Sequence, residues 1–501
     1  MKFSEAPSKV RRKGRWLLIL FFISAALLLF FSELVEQSMF IDGVWYAVIS
    51  RNLAEGIGTF WFPQFSATIF PDFHEHPPFI FGVQSLFFGL LGDHWLTERL
   101  FSLSHYLASG LMIFLLWRKA TQSIPKLKAW WIIPLLLWQV NLVTYYFQPA
   151  NLLDASVSVL GMLTIWCMWN AFDSRKALSW LLAAGVILSL GFLSKGVVSL
   201  FPLAFIVLYG IIKKEGRMGK LVGYTSLVVL SLVLFFALLI NLSPLAYESL
   251  SEYLDVQLLA SLKGERRLYY YRTNRFYIFF QLIWALVPMF LLLLASWGIV
   301  KWGKLEDQAL KKERVKTYSN ALLFGAIGLS ASLPIMISPR QAIPYLLPAI
   351  PYFSLAFGLL TAPLLIRILS QWQDAWRRSF TGMIGVGYLF IIVGLGICLL
   401  KVGARNGRDA AVIQDAALIG DTVGDQTIIS STTYNMYISG YLMRYDKVSI
   451  DTTGMLHRYL LSKKDENIND SQYVKLPLPT KEYDLYQRVE EEVSLTQHSK
   501  K

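Results

Sequence analysis

Long apolar runs alternate with short polar connections over the first four-fifths of the chain, and each run is near the 17 to 25 residues that a helix needs to cross a bilayer. The first covers residues 16–31, and ten more follow at about 100–117, 129–147, 152–172, 177–194, 196–212, 221–241, 276–300, 318–337, 343–366 and 380–400. One apolar stretch, Phe79–Leu91, is opened by Pro77-Pro78 and is too short to span. It predicts an interfacial or re-entrant helix. After Lys401 the runs shorten and charged and turn residues rise; 426–431, 434–443 and 447–451 read as strand, helix, strand. The expected fold is an all-α polytopic membrane protein of about eleven transmembrane helices plus interfacial helices, spanning 1–401. A small external α/β domain is expected over 402–501.

Composition supports this pattern. The 501 residues are 55% hydrophobic and only 16% charged, with a mean hydropathy of +0.46, which leaves too little polar surface for a soluble globule. The net charge of +13 is concentrated at the ends of the apolar runs. Basic clusters precede Trp16 and fill 118–128, 175–176, 213–220, 301–316 and 367–378. With eleven crossings and Phe79–Leu91 left out, all six fall on one side, which the positive-inside rule makes cytoplasmic. Charges at helix ends meet lipid headgroups and set orientation, so nucleic acid is not expected as a partner. The amino terminus is then cytoplasmic, the carboxyl terminus extracytoplasmic, and the expected location the plasma (inner) membrane. The chain's two cysteines, Cys167 and Cys398, lie inside apolar runs and predict no disulfide framework.

The external charges are few, and chemistry is expected among them. Two external segments, 33–98 and 242–275, are long enough to hold structure, the first with short helices near 44–55 and at Phe79–Leu91. Asp42 sits among apolar residues in the first, as a candidate general base or as an N-cap for the following helix. His74-Glu75-His76-Pro77-Pro78 adds an acid and two imidazoles but lacks the ligand set of a structural metal site. Asp154, Lys195 and Arg340 map to one membrane edge. Lys195 has apolar residues on both sides; either it pairs with Asp154 or it holds an anion. Arg266, Arg267, Arg272 and Arg275, interleaved with tyrosines, suit a headgroup-facing loop or a phosphate.

Taken in order, several motifs resemble those of the integral-membrane class C glycosyltransferases. They are Asp42…Tyr46-Ala47…Arg51-Asn52…Gly56, His76-Pro77-Pro78, Glu98-Arg99-Leu100, Asn151…Asp154, Leu193-Ser194-Lys195-Gly196 and Tyr345-Leu346-Leu347-Pro348…Pro351. Within that class the chain is similar to the protein O-mannosyltransferase and lipid A aminoarabinose transferase group. The resemblance implies Asp42 as base and Glu75 as a second acidic site residue. It also implies substrate-binding roles for Arg51, His76, Arg99, Asp154, Lys195, Arg266, Arg340 and Tyr345, with Lys195 and Arg340 toward a lipid phosphate. Many members carry a second acid directly after the first, where this chain has Gly43. The position of His76 is His in the mannosyl branch and Lys in the aminoarabinose branch.

The expected activity is transfer of a sugar from a polyprenyl-phosphate donor to an acceptor hydroxyl on a glycan, lipid or protein at the outer face, with inversion. No metal-ligand set is assigned, although a divalent cation is compatible with the chemistry. Membrane lipids are the remaining expected partners. A transporter or flippase of lipid-linked sugars is the rival, but no internal repeat and no midplane charges support it.

Overall fold

A computed structural model of the chain describes residues 8–259, 274–338, 340–375, 377–464, 466, 468 and 471–489. Helix α1 (Ser8–Ala25) continues through one wider turn, Ala26–Phe31, to Leu34. There follow α2 (Ile41–Ala54), α3 (Phe79–Leu91), α4 (Trp95–Ala120), α5 (Ile132–Gln139), α6 (Leu142–Phe147), α7 (Leu153–Asp173), α8 (Ala177–Lys195) and α9 (Ala204–Lys213). Beyond them lie α10 (Met218–Leu242), α11 (Pro244–Tyr253), α12 (Tyr277–Trp302), α13 (Gln308–Ser332), α14 (Ile350–Ala375) and α15 (Arg377–Lys401).

Among the described residues, nine helical segments are long and apolar enough to cross a membrane. The eleven expected runs map onto them with two differences. The runs 177–194 and 196–212 form one helical segment, Ala177–Lys213, that folds back at Gly196. Gly196 has φ +72°, and a Cβ there would sit 1.7 Å from Tyr253 Oη, so this reversal requires glycine. Trp180 at the start of α8 meets Trp166, and Tyr209 near the end of α9 stacks on Phe172; both arms therefore return to the same end of α7. The run 129–147 is broken at Asn141, which caps α6 by accepting from Val143 N at 3.0 Å. The same side chain donates to the Ala285 carbonyl at 2.7 Å, which satisfies the polar group that the break brings to membrane depth. With the fold-back counted twice and the broken pair once, the described residues account for all eleven apolar runs.

The basic clusters converge on one end of the bundle. Lys119 pairs with Asp173 at 2.8 Å, Lys126 with Glu313 at 3.5 Å and Arg367 with Asp307 at 2.9 Å, while Lys213 reaches Ser319 at 3.0 Å. Around the bundle, α10 and α15 bury few of their side chains. Bands of this kind are tolerated where the surrounding solvent is hydrocarbon. Helix α15 packs on α1 through Gly387 and Gly394, where a Cβ would meet Leu20 at 3.1 Å and Leu27 at 2.8 Å.

The opposite end carries α2, α3 and the C-terminal α/β unit. That unit contains α16 (Ala410–Val423), β1 (Ile428–Ser431), α17 (Met436–Tyr445), β2 (Ser449–Asp451), β3 (Tyr459–Lys463), β4 (Tyr473–Lys475) and β5 (Tyr483–Arg488). Its five strands are ordered β2-β1-β3-β5-β4, parallel from β2 to β3 and antiparallel beyond. Asn435 caps α17 by accepting from Tyr437 N at 2.9 Å.

Candidate active site

Asp42 does not cap α2. The helix begins one residue earlier, Phe40 is its extended N-cap, and Asp42 lies in the first turn, where its charge faces the positive end of the helix dipole. The helix is fixed by a polar chain through three segments. Ser50 donates to Gln84 at 2.8 Å, Gln84 to Asn151 at 2.8 Å, and Asn151 to the Gly43 carbonyl at 2.9 Å. Asn151 adopts φ +56°, a left-handed turn that asparagine tolerates, and this brings the 150–151 turn onto α2. A Cβ on residue 43 would lie 1.9 Å from the Ala150 carbonyl oxygen. The absence of a second acid beside Asp42 therefore has a steric cause.

Asp154 and Lys195 enter from α7 and α8. Asp154 is in the first turn of α7 and Lys195 in the last turn of α8, each at the helix end whose dipole favours its charge. Their side chains form a buried ion pair. Lys195 is therefore paired with Asp154 at this membrane edge. The lysine ammonium also lies 4.6 Å from the centre of the Tyr345 ring, in cation–π range. Arg340 stands in the segment leading to Tyr345 and is exposed. Among the described residues no carboxylate lies within ion-pair distance of it.

These groups act on Asp42. Burial pushes its carboxyl up to about 6; the Lys195 and Arg340 charges pull it down, and Asp154 and Glu75 push it up. A carboxylate poised there is mostly ionised at neutral pH yet more basic than a free one, as a general base requires. Burial likewise pushes the Tyr345 phenol up to about 12, so it stays a neutral donor. Tyr46 is buried one helical turn beyond Asp42 and meets the His76 ring at 5.8 Å. Glu75, in irregular chain ahead of α3, is felt by Asp42, Arg340 and Tyr345 alike. His74 faces Glu252 of α11 at 3.2 Å. Among the described residues no three His, Cys, Asp or Glu side chains converge as metal ligands.

Two expected substrate-binding arginines lie elsewhere. Arg51 is buried and donates to the Met443 and Arg444 carbonyls at 2.9 and 3.0 Å. Arg99 is buried and donates to the Ser38 and Pro149 carbonyls at 2.8 and 3.2 Å. Their motifs place them beside Asp42 in sequence order, but both guanidinium groups are committed to backbone carbonyls that tie segments together. Arg266 lies outside the described residues. Sequence reasoning missed Gln84 and Tyr253 in this region. A lone glutamine in an apolar helix was the available signal for the first; nothing local marked the second.

The comparisons with known proteins bear on this arrangement. A family model described as dolichyl-phosphate-mannose-protein mannosyltransferase matches residues 75–240. ArnT from Cupriavidus metallidurans in the apo state superposes with a TM-score of 0.61 at 15% identity, covering 94% of this chain and 98% of that one. The same protein bound to undecaprenyl phosphate gives a TM-score of 0.61 at 13% identity, covering 95% and 98%. The apo Archaeoglobus fulgidus oligosaccharyltransferase gives 0.50 at 10% identity, covering 87% of this chain and 64% of that one. No curated protein sequence matches. The fold is ArnT-like over nearly the whole chain, while the family-model match is confined to residues 75–240.

Proposed function

We propose that the protein is a glycosyltransferase that moves a sugar from a polyprenyl-phosphate carrier to an acceptor hydroxyl, at the membrane face opposite its basic clusters. The observation that carries this reading is the gathering of Asp42, Lys195, Arg340 and Tyr345 from three separate segments at that end of the bundle. An undecaprenyl phosphate bound to a protein of the same fold supports the donor class. The basic end is read as cytoplasmic.

In the proposed reaction the acceptor oxygen attacks the anomeric carbon while the carbon–oxygen bond to phosphate breaks. The acceptor proton passes to Asp42, and the lipid phosphate leaves with roughly one additional negative charge. Arg340, Lys195 and the Tyr345 hydroxyl stabilise that developing charge more than they stabilise the donor, which is the condition for rate acceleration. One displacement inverts the anomeric centre.

Purified protein in vesicles, supplied with radiolabelled polyprenyl-phosphate sugar, tests the reading. Label released to water or to acceptor is the expected result. Intact lipid appearing in the opposite leaflet without release would overturn it in favour of a flippase.

A further inference from the structure

Helix α2 has two working sides. Asp42 and Tyr46 share one, while Ile41, Val44, Val48 and Arg51 lie round the other, by the 100° step of the helix. The second side is covered by α17, which belongs to the C-terminal unit and lies outside the 75–240 family match.

The contacts run from end to end of both helices. At one end Trp45 Nε1 donates to the Met436 carbonyl at 3.0 Å, and the Trp45 ring is held by stacking on Phe65 at 3.7 Å. At the other, Arg51 donates to the Met443 and Arg444 carbonyls, capping the negative end of α17. Between them Gly440 abuts α2 directly: a Cβ there would lie 2.9 Å from both Ile41 Cδ1 and Trp45 Nε1. The Tyr441 hydroxyl accepts from Met39 N at 3.3 Å and donates to Asp409 at 2.8 Å, fixing the chain three residues before Asp42. Arg444 then anchors α17 to α4 through Glu98 at 2.9 Å and reaches Asp93 at 2.6 Å.

We propose that the C-terminal unit is a positioning element of the active site, with α17 pressing α2 against the 150–151 turn so that Asp42 is held at the depth of Lys195 and Arg340. On one side of α2 stands Gly43 against the Ala150 carbonyl; on the other stands Gly440 against Ile41 and Trp45. A helix fitted between two glycine contacts has no room to translate either way. The inference rests on Asp42 being the base, and Gly440 and Trp45 act through it without touching substrate.

The test is Gly440→Val in the purified full-length protein, with Trp45→Phe as a milder variant that loses the Met436 bond and keeps the ring. Hydrogen exchange should quicken in Ile41–Ala54 and stay unchanged in Leu153–Asp173. In the sugar-transfer assay kcat should fall about 100-fold for Gly440→Val, the loss typical of an ångström-scale misplacement. Donor KM should hold within about threefold, and the acid limb of kcat/KM should move, because the burial of Asp42 changes. Exchange and kinetics both unchanged would overturn the proposal. So would activity lost only in proportion to folded protein, with the acid limb in place. Wild-type protein that never releases sugar would defeat the reading of Asp42 as base, while the exchange measurement would still decide the clamp.

Discussion

Two groups of charge stand at the same end of this molecule and are built on opposite plans. Around Arg444, every charge is answered: the guanidinium takes Glu98 Oε1 and Oε2 at 3.1 and 2.9 Å and Asp93 at 2.6 Å. Burial opposes its charge, yet the surrounding carboxylates leave the group more firmly protonated than in water. Around Asp42 the charges are near one another but incompletely matched. Asp42 titrates near neutrality, and Arg340 is exposed with no ion-pair partner among the described residues. The first plan holds helices together; the second leaves electrostatic work for a substrate to complete. Both plans occur at one end of the bundle, so proximity of charge alone does not distinguish structure from chemistry. The degree of mutual satisfaction does.

The contrast is broken most directly by Asp42→Asn. Transfer should fall by about 10³- to 10⁴-fold, as expected for loss of a general base, with donor binding retained. Radiolabel transfer and donor binding to purified protein check it, and near-wild-type transfer would remove Asp42 from the chemistry. Next is Arg444→Ala, which leaves Glu98 buried and unanswered. A loss of about 3–5 kcal/mol is expected, read as a lowered melting temperature in detergent. A small change would show that the satisfied cluster is ornamental.

The two plans also predict opposite responses to pH. Asp42 has a folded pKa above the ordinary carboxyl value of 3.8, so its protonation supports the fold fully below about pH 4. That support is lost as pH rises through about 6. Asp42→Asn should therefore be no more stable than wild type at pH 4 and more stable at pH 8, by at most about 3 kcal/mol. Wild-type kcat/KM should fall as pH drops below about 6. Melting curves and rate profiles at both pH values decide both statements. A finer cut is Lys195→Ala, expected to lower kcat/KM about 10- to 100-fold through weaker stabilisation of the leaving phosphate. Adding Asp154→Asn should restore melting temperature, because no buried carboxylate is then left unpaired, but not rate. Recovery of both would make Lys195 a packing residue. The smallest effect is expected at the rim, where Lys447 meets Glu55 at 2.7 Å. Lys447→Ala should cost less than about 1 kcal/mol.

Much of the fold was legible because bilayer thickness imposes a length on each apolar run. Phe79–Leu91 was bounded to the residue by its prolines and Gly92, and the expected strand, helix and strand near 426–451 are Ile428–Ser431, Met436–Tyr445 and Ser449–Asp451. The reversal at Gly196 was visible as two runs with one lysine between them. Less legible was everything fixed by long-range contact. The sequence motif carrying Arg51 does not reveal that its guanidinium faces carbonyls some 390 positions away. For Lys195 the sequence named Asp154 as a possible partner, but only the meeting of α7 with α8 brings the two side chains together. Helix α16 and strands β3 to β5 were missed, since short half-buried elements carry too few residues for a periodic signal.

The bare α-carbon at position 43 also governs how this pocket can diversify. With the Ala150 oxygen where a side chain would begin, no single base change at that codon can install a neighbouring carboxylate without dislodging the helix that bears Asp42. Any further negative charge beside Asp42 has to be introduced from segments remote in the gene, such as the stretch around Glu75. Substitutions that tune the charge around Asp42 should accordingly be tolerated in those distant segments and not at the turn on which the helix starts.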